Sequence, residues 1–290
     1  MRVRSGLARA VCCAALLAPA RAYGQSDERI IYASVVDKAG APVMDLGAKD
    51  FIVREDHVAR EVLRVAPDRD PMQVALLVDD SLLMRGREGP LRGGVSAFIR
   101  EMRPDVMMAL IGLGERPTIR VEYTRDKARL LKEANALFGH GSNTLNDAIF
   151  ESSQALAKRP LMRPVIVAIT AGAGGYKRRE EVLRALKWSQ ASVHLITVSR
   201  TGGGSGGGRM TEQATKDTGG RNDVIIGINS LERNAVQLAR ELSNQYRVTY
   251  ARPQRLIPPK ATEIRARNPD LRARGMLVMT DKERERLREP

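Results

Sequence analysis

Apolar and polar positions alternate with period two along RIIYASVVD (Arg29–Asp37), DFIVRED (Asp50–Asp56) and EVLRVA (Glu61–Ala66), which predicts three short strands. KAGAPV (Lys38–Val43) is a turn, a polar turn around Asp56–Ala59 joins the second strand to the third, and PDRDP (Pro67–Pro71) reads as a linker. From Met72 the rhythm changes. QVALLVD (Gln73–Asp79) is a continuous apolar run, as a strand buried on both faces requires. Helical spacing follows over Gly89–Met102, Arg125–Phe138, Asn143–Arg159, Arg178–Gln190, Met210–Thr218 and Leu231–Asn244. Between these lie strands Val106–Leu113, Pro164–Thr170, Ser192–Ser199, Asn222–Ile228 and Gln245–Ala251, with Thr118–Tyr123 as a short antiparallel edge. Asp126, and Asn143 or Thr144, stand where helix caps belong.

Strands and helices in alternation predict an α/β fold, a doubly wound and mostly parallel sheet covered on both faces. Ligands of such sheets bind beyond the carboxyl ends of the strands, where Asp79 and Ser81 stand. After Pro253 the pattern is extended again, at Ala261–Asn268 and Gly275–Thr280. Three short strands are a poor independent fold, so pairing both chain ends predicts a small β-sandwich with the α/β domain inserted into it. The division expected is 1–24 leader, 25–71 amino-terminal strands, 72–251 α/β domain and 252–290 carboxyl-terminal strands with a charged tail.

The leader follows from MRVRSGLARAVCCAALLAPARAYGQ: arginines, an apolar stretch, then a small-x-small site at Ala20–Ala22. Its apolar stretch is about half the ~20 residues that span a membrane, which predicts cleavage near Ala22 or Gly24, secretion or periplasmic residence, and no transmembrane span afterwards. Cleavage removes Arg2, Arg4, Arg9, Arg21 and both cysteines, Cys12 and Cys13. The mature chain is then free of disulfides in an oxidising compartment and stays strongly basic. That charge suits a protein or an anionic envelope polymer as partner. Acidic and basic residues nevertheless interleave, as in KERERLRE (Lys282–Glu289), and aromatic residues make up only 4%. The stacking platforms and dense basic stripes of nucleic-acid binding are missing.

Chemistry concentrates at three places. DDSLLM (Asp79–Met84) ends the first central strand; GHGSNTLNDAI (Gly139–Ile149) is a glycine-rich loop entering a helix; VIVAITAGAGG (Val165–Gly175) is a later strand and its loop. In this order they resemble the von Willebrand factor type A family over about Met72–Ala251. VVDKAGAPVMDLGAKDFIVRED (Val35–Asp56), QYRVTYARP (Gln245–Pro253) and RARNPDLRARG (Arg265–Gly275) resemble the flanks of a secreted bacterial branch of that family. The resemblance implies a binding or adhesion module without a defined reaction. It also implies a divalent ion held by Asp-x-Ser-x-Ser, a threonine and a later aspartate, and completed by a partner's carboxylate. Asp79, Ser81 and Thr144 match. Leu83 replaces the second serine and Ala171 the later aspartate. Mg²⁺ requires six oxygens and usually one or two carboxylates; with one carboxylate left, weak or absent Mg²⁺ binding is expected at a degenerate site. The partner-binding rim is expected to include Asp80, Leu83, Ser142 and Ala171. Asp147, one turn into the helix after Thr144, is a candidate support.

RTGGGSGGGRM (Arg200–Met210) satisfies several glycine patterns by composition alone. Gly202, Gly204 and Gly207 fit a dinucleotide fingerprint with Asp223 downstream, but on a late strand. Ser205 between Gly203 and Gly207 fits a nucleophile elbow, yet the last histidine, His194, precedes it. Arg209 and Met210 stand where a phosphate loop needs Lys and Ser or Thr. Three scattered histidines offer little to zinc; His194 is expected packed and His57 exposed. The sequence therefore predicts a secreted, non-enzymatic module that recognises its partner at the carboxyl-end face of the sheet. The alternatives are an enzyme using the Gly202–Gly208 loop, and a structural envelope protein held by its basic surface.

Overall fold

The computed structural model of the chain describes residues 26–159, 163–199, 208–253, 257, 259–280 and 283. The expected leader, the glycine tract up to Gly207 and most of the charged tail lie outside the described residues. Four strands come first: β1 (Ser26–Val36), β2 (Phe51–Glu55), β3 (Val58–Arg60) and β4 (Val62–Pro67). The alternating series follows: β5 (Met72–Val78), α1 (Glu88–Glu101), β6 (Met107–Gly112), β7 (Thr118–Thr124), α2 (Lys127–Asn135), α3 (Leu145–Ala157) and β8 (Arg163–Thr170). It continues with α4 (Arg179–Ser189), β9 (Ser192–Ser199), α5 (Gly208–Asp217), β10 (Asn222–Ile226) and α6 (Leu231–Ser243). The last strands are β11 (Tyr246–Pro253), β12 (Thr262–Ala266) and β13 (Arg272–Leu277).

The series forms a six-stranded sheet, ordered β10-β9-β8-β5-β6-β7, parallel except for β7. Every residue of β5 is buried, and its alternation sorts them between two helical layers. Val74, Leu76 and Val78 pack into the core with Phe98 of α1, Leu130 of α2 and Leu238 of α6. Ala75 and Leu77 face the opposite core, with Ile149 of α3, Leu186 of α4 and Ala214 of α5. After β5 the chain adds β6 and β7 on one side, then returns to add β8, β9 and β10 on the other. The strand order therefore reverses beside β5, which puts the ligand crevice of such a sheet at its carboxyl end.

Both chain ends build the flanking sandwich. One sheet runs β13-β1-β11-β4 and the other β12-β2-β3, and Ile31, Val35, Phe51, Val53, Tyr246, Val248 and Ile264 fill the space between. The buried Glu55 of β2 links the layers, accepting from the Tyr250 hydroxyl at 2.7 Å and from Arg252 Nε at 3.1 Å, both on β11. One expectation changes here. The strand read at Gln245–Ala251 does not continue the parallel sheet; β11 pairs antiparallel with β1 over eight residues and with β4 on its other side. Its aromatic residues decide this, since Tyr246 stacks edge-on against Phe51 with centroids 5.5 Å apart. A further strand, β3, occupies part of the segment expected to be a polar turn, leaving a two-residue hairpin of Asp56 and His57, both with positive φ. His57 is exposed, as expected.

Charged groups join the two units. Glu241 of α6, fully buried, faces Arg221 Nη1 at 3.1 Å and Arg274 Nε of β13 at 3.1 Å. Gly219 has φ +63°, and a Cβ there would stand 1.9 Å from the carbonyl oxygen of Gly275 on β13, so only glycine allows this approach. Among the described residues no helix is long and apolar enough to cross a membrane.

His194 on β9 is buried beside this junction. Burial holds its imidazole down to about 3 from the ordinary 6.5, with the positive charges of Arg274, Arg221 and Arg163 adding to the effect. Between these values the unfolded chain binds a proton that the folded chain refuses. Stability from this group is complete above pH 6.5 and declines on acidification towards pH 3. Urea unfolding from pH 7 to 4 should show the wild type losing up to ~1.4 kcal/mol per pH unit more than His194→Leu; parallel profiles would contradict this environment.

Candidate functional site

The end of β5 delivers Asp79 into a fully buried position. A buried carboxylate needs a cation or several hydrogen-bond donors. Here it has donors. Oδ1 accepts from the Ser81 backbone N–H at 3.0 Å, and Oδ2 accepts from Asn143 Nδ2 at 2.8 Å and the Ala171 N–H at 2.8 Å, while the one Thr170 hydroxyl proton is divided between Oδ2 at 3.1 Å and the Gly172 carbonyl at 2.5 Å. Three separate loops are thereby tied to one side chain: the turn after β5, the entry to α3 and the end of β8.

Asn143 can do this because its two ends differ. Its Oδ1 accepts from the Leu145 N–H at 3.0 Å at the start of α3, which leaves Nδ2 to donate to Asp79 and to Thr170 Oγ1. Thr144, which matched the expected threonine ligand, instead donates its hydroxyl to the Leu113 carbonyl at 2.8 Å. Ser81 is buried and its Oγ accepts from the Leu83 N–H at 3.3 Å, capping a single 3₁₀ turn, Leu82–Met84. Oxygen lone pairs free to converge on an ion are what a divalent cation requires; around Asp79 stand N–H and O–H hydrogens. As arranged, these residues do not fit the ion that the family pattern implies.

Asp80 was expected at the rim but is buried, because it forms an ion pair with Arg120 of β7 and accepts from the Gly114 N–H at 2.7 Å. A Cβ at Gly112 would lie 2.6 Å from Asp80 Oδ2, so β6 must end in a residue without a side chain there. Asp147 receives the Tyr176 and Lys177 N–H groups at 3.0 and 2.7 Å, fastening the loop after β8 to α3. Ser142 is exposed and Ala171 half-buried. Sequence reasoning had Asn143 or Thr144 as a cap and Thr170 as part of a strand end; the convergence of Asn143 and Thr170 on Asp79 is legible only once the loops are in place.

Above this polar floor the surface is apolar. Leu82 is 49% exposed, Leu83 44%, Phe138 57% and Tyr176 94%. The loop carrying Phe138 packs on the Leu82 turn, with Leu82 N donating to the Gly141 carbonyl at 3.0 Å. Leu83 reaches over the end of β8, its Cδ1 lying 3.3 Å from where a Cβ of Gly172 would be. Exposed Arg85, Arg116 and Arg179 stand on loops and a helix start of the same face, against Glu115 and Glu180, while Arg178 is paired with Glu181 at 3.5 Å.

Residues 74–173 match the family model of the von Willebrand factor type A domain. No curated protein matches the sequence. Among solved structures, a von Willebrand factor type A protein from Catenulispora acidiphila is 9% identical, aligned over 89% of this chain and 73% of its own, with a TM-score of 0.51. The conserved hypothetical protein BatB from Bacteroides thetaiotaomicron is 16% identical over 57% of this chain and 96% of its own, TM-score 0.46. The vWF domain of the type V pili tip protein Mfa5 from Porphyromonas gingivalis is 11% identical over 60% and 95%, TM-score 0.47. At these identities the likeness is one of fold.

Asn143→Ala removes one Asp79 donor and the acceptor of the Leu145 N–H at the start of α3 together. A cost of about 1–3 kcal/mol is expected, read as a lower denaturation midpoint with an unchanged m-value, whereas Ser142→Ala, at the exposed neighbour, should leave the midpoint in place.

Proposed function

We propose that this chain is an extracytoplasmic protein-binding module that holds its partner at the carboxyl-end face without a bridging ion. The observation that carries the reading is the pair Leu82 and Leu83, both about half exposed on a turn whose shape is set by Ser81 and whose floor is fixed by Asp79. An ion site would need a serine hydroxyl where Leu83 stands. The leucine instead offers apolar surface, and burying one such side chain in an interface stabilises a complex by roughly 1.5–3 kcal/mol. The arginines around it favour a partner whose contact surface is acidic. The leader-like start of the sequence supports export.

Two measurements test this. Photo-crosslinking groups placed at Leu83 and, as a control, at Leu63 of the sandwich should give partner adducts at the first position only. Those adducts should persist in chelator and be lost in Phe138→Glu; adducts that require a divalent ion would overturn the reading, and adducts that vanish with modest salt alone would favour a diffuse basic attachment. Thermal melting should also be the same in chelator and in ~10 mM Mg²⁺, where an ion held at millimolar affinity would add ~1.4 kcal/mol.

A further inference from the structure

At the opposite end of the sheet, where β8 and β9 begin and the sandwich meets them, lies a cavity of ≈ 160 Å³. Tyr32, Leu156, Trp188 and Met276 line it together with two arginines, Arg159 and Arg163. The arginines are not equivalent. Arg163 is buried, paired through Nη1 with Asp68, and its Nε–H has no acceptor among the described residues. Arg159 is half-buried, stacked over the Tyr123 ring at 4.2 Å, and has no carboxylate partner among the described residues. Asp68 neutralises Arg163, so the wall keeps one net positive charge, at Arg159. Gln190 and Gln245, which also line the cavity, are already engaged: Gln190 Oε1 accepts from the Met279 N–H at 2.7 Å and Gln245 Nε2 donates to Ser34 Oγ at 2.8 Å.

A space of this size admits one aromatic ring or a chain of about six carbons, since a cavity of roughly 150 Å³ accepts benzene. An aromatic-lined pocket with one uncompensated cation and one unmade buried donor selects an apolar body carrying a single negative charge. We propose that this cavity binds a small amphipathic carboxylate, an aromatic or short-chain acid whose body lies against Trp188, Leu156 and Met276 and whose carboxylate is held by the arginines. The site is independent of the Leu83 face and joins both units of the chain, because Tyr32 and Met276 belong to the sandwich and the arginines flank the start of β8.

Trp188 is the only tryptophan in the sequence, so its emission reports on the cavity directly. The full chain is titrated with benzoate, hexanoate and benzyl alcohol, following Trp188 emission and, in parallel, calorimetric heat. Saturable binding of both acids below about 10 mM is expected, with benzyl alcohol at least ~10-fold weaker. Arg159→Gln should weaken the acids about 10-fold, as loss of a charge-assisted contact does, and leave benzyl alcohol unchanged. Ala157→Leu, which fills the space from the end of α3, should abolish binding of all three while the melting temperature is kept. No saturable signal from either acid, equal affinity for the alcohol, or acid binding indifferent to Arg159→Gln would each overturn the proposal.

Discussion

A carboxylate removed from water must be given hydrogens or a cation, and Asp79 has been given hydrogens. Much of the carboxyl-end face depends on that solution. Because its donors come from the turn after β5, the entry to α3 and the end of β8, one buried side chain fixes the relative positions of three loops that are distant in sequence. In a low-dielectric interior such a network is strong when complete and costly when a member is missing. Leu83 and Ala171 bring no side-chain oxygen to this place, and the Asn143 amide supplies positive hydrogen density beside Asp79 Oδ2. The floor is tied by hydrogen bonds, and the surface above it is apolar.

The second organising constraint lies at the other end of the sheet. Glu241 sits between Arg221 and Arg274, and Gly219 lets β13 approach closely enough for this contact. Buried charge pairs add little net stability but penalise wrong geometry severely. Here they set how the sandwich seats against the α/β domain, and the cavity beside Trp188 lies along that junction. The two ends of the sheet are thus specialised: one presents apolar residues outward, and the other is covered by a second unit.

Much of this was legible in the residues. The fully apolar β5, the period change at Met72 and the capping position of Asp126 follow from local rules and stand as read. The pairing of both chain ends was inferred from strands that had nothing else to pair with. What escaped was settled by tertiary context. β11 follows α6 as another parallel strand would, and only Tyr246 against Phe51 and the long register with β1 place it in the sandwich. β3 was hidden because its hairpin uses Asp-His at positive φ, where Asn-Gly is the usual signal. Asp80 was placed at the rim because a strand end shows which way a side chain leaves the backbone but not that Arg120 of a distant strand will meet it. Asn143 was one of two cap candidates, with Thr144, since local sequence reveals only the end of its amide that serves the helix.

The pairing of β1 with β11 joins Ser26 to Pro253 across the whole inserted domain. Contacts of that sequence separation form late, because a long loop must close before they contribute anything. The α/β domain has its central sheet and both helical layers complete by Ser243, so it can collapse while the first strand is still without its neighbour. The sandwich then acts as a clasp that closes only after the rest of the chain has been made, and an exposed β1 edge is the aggregation risk of every molecule that has not reached that step.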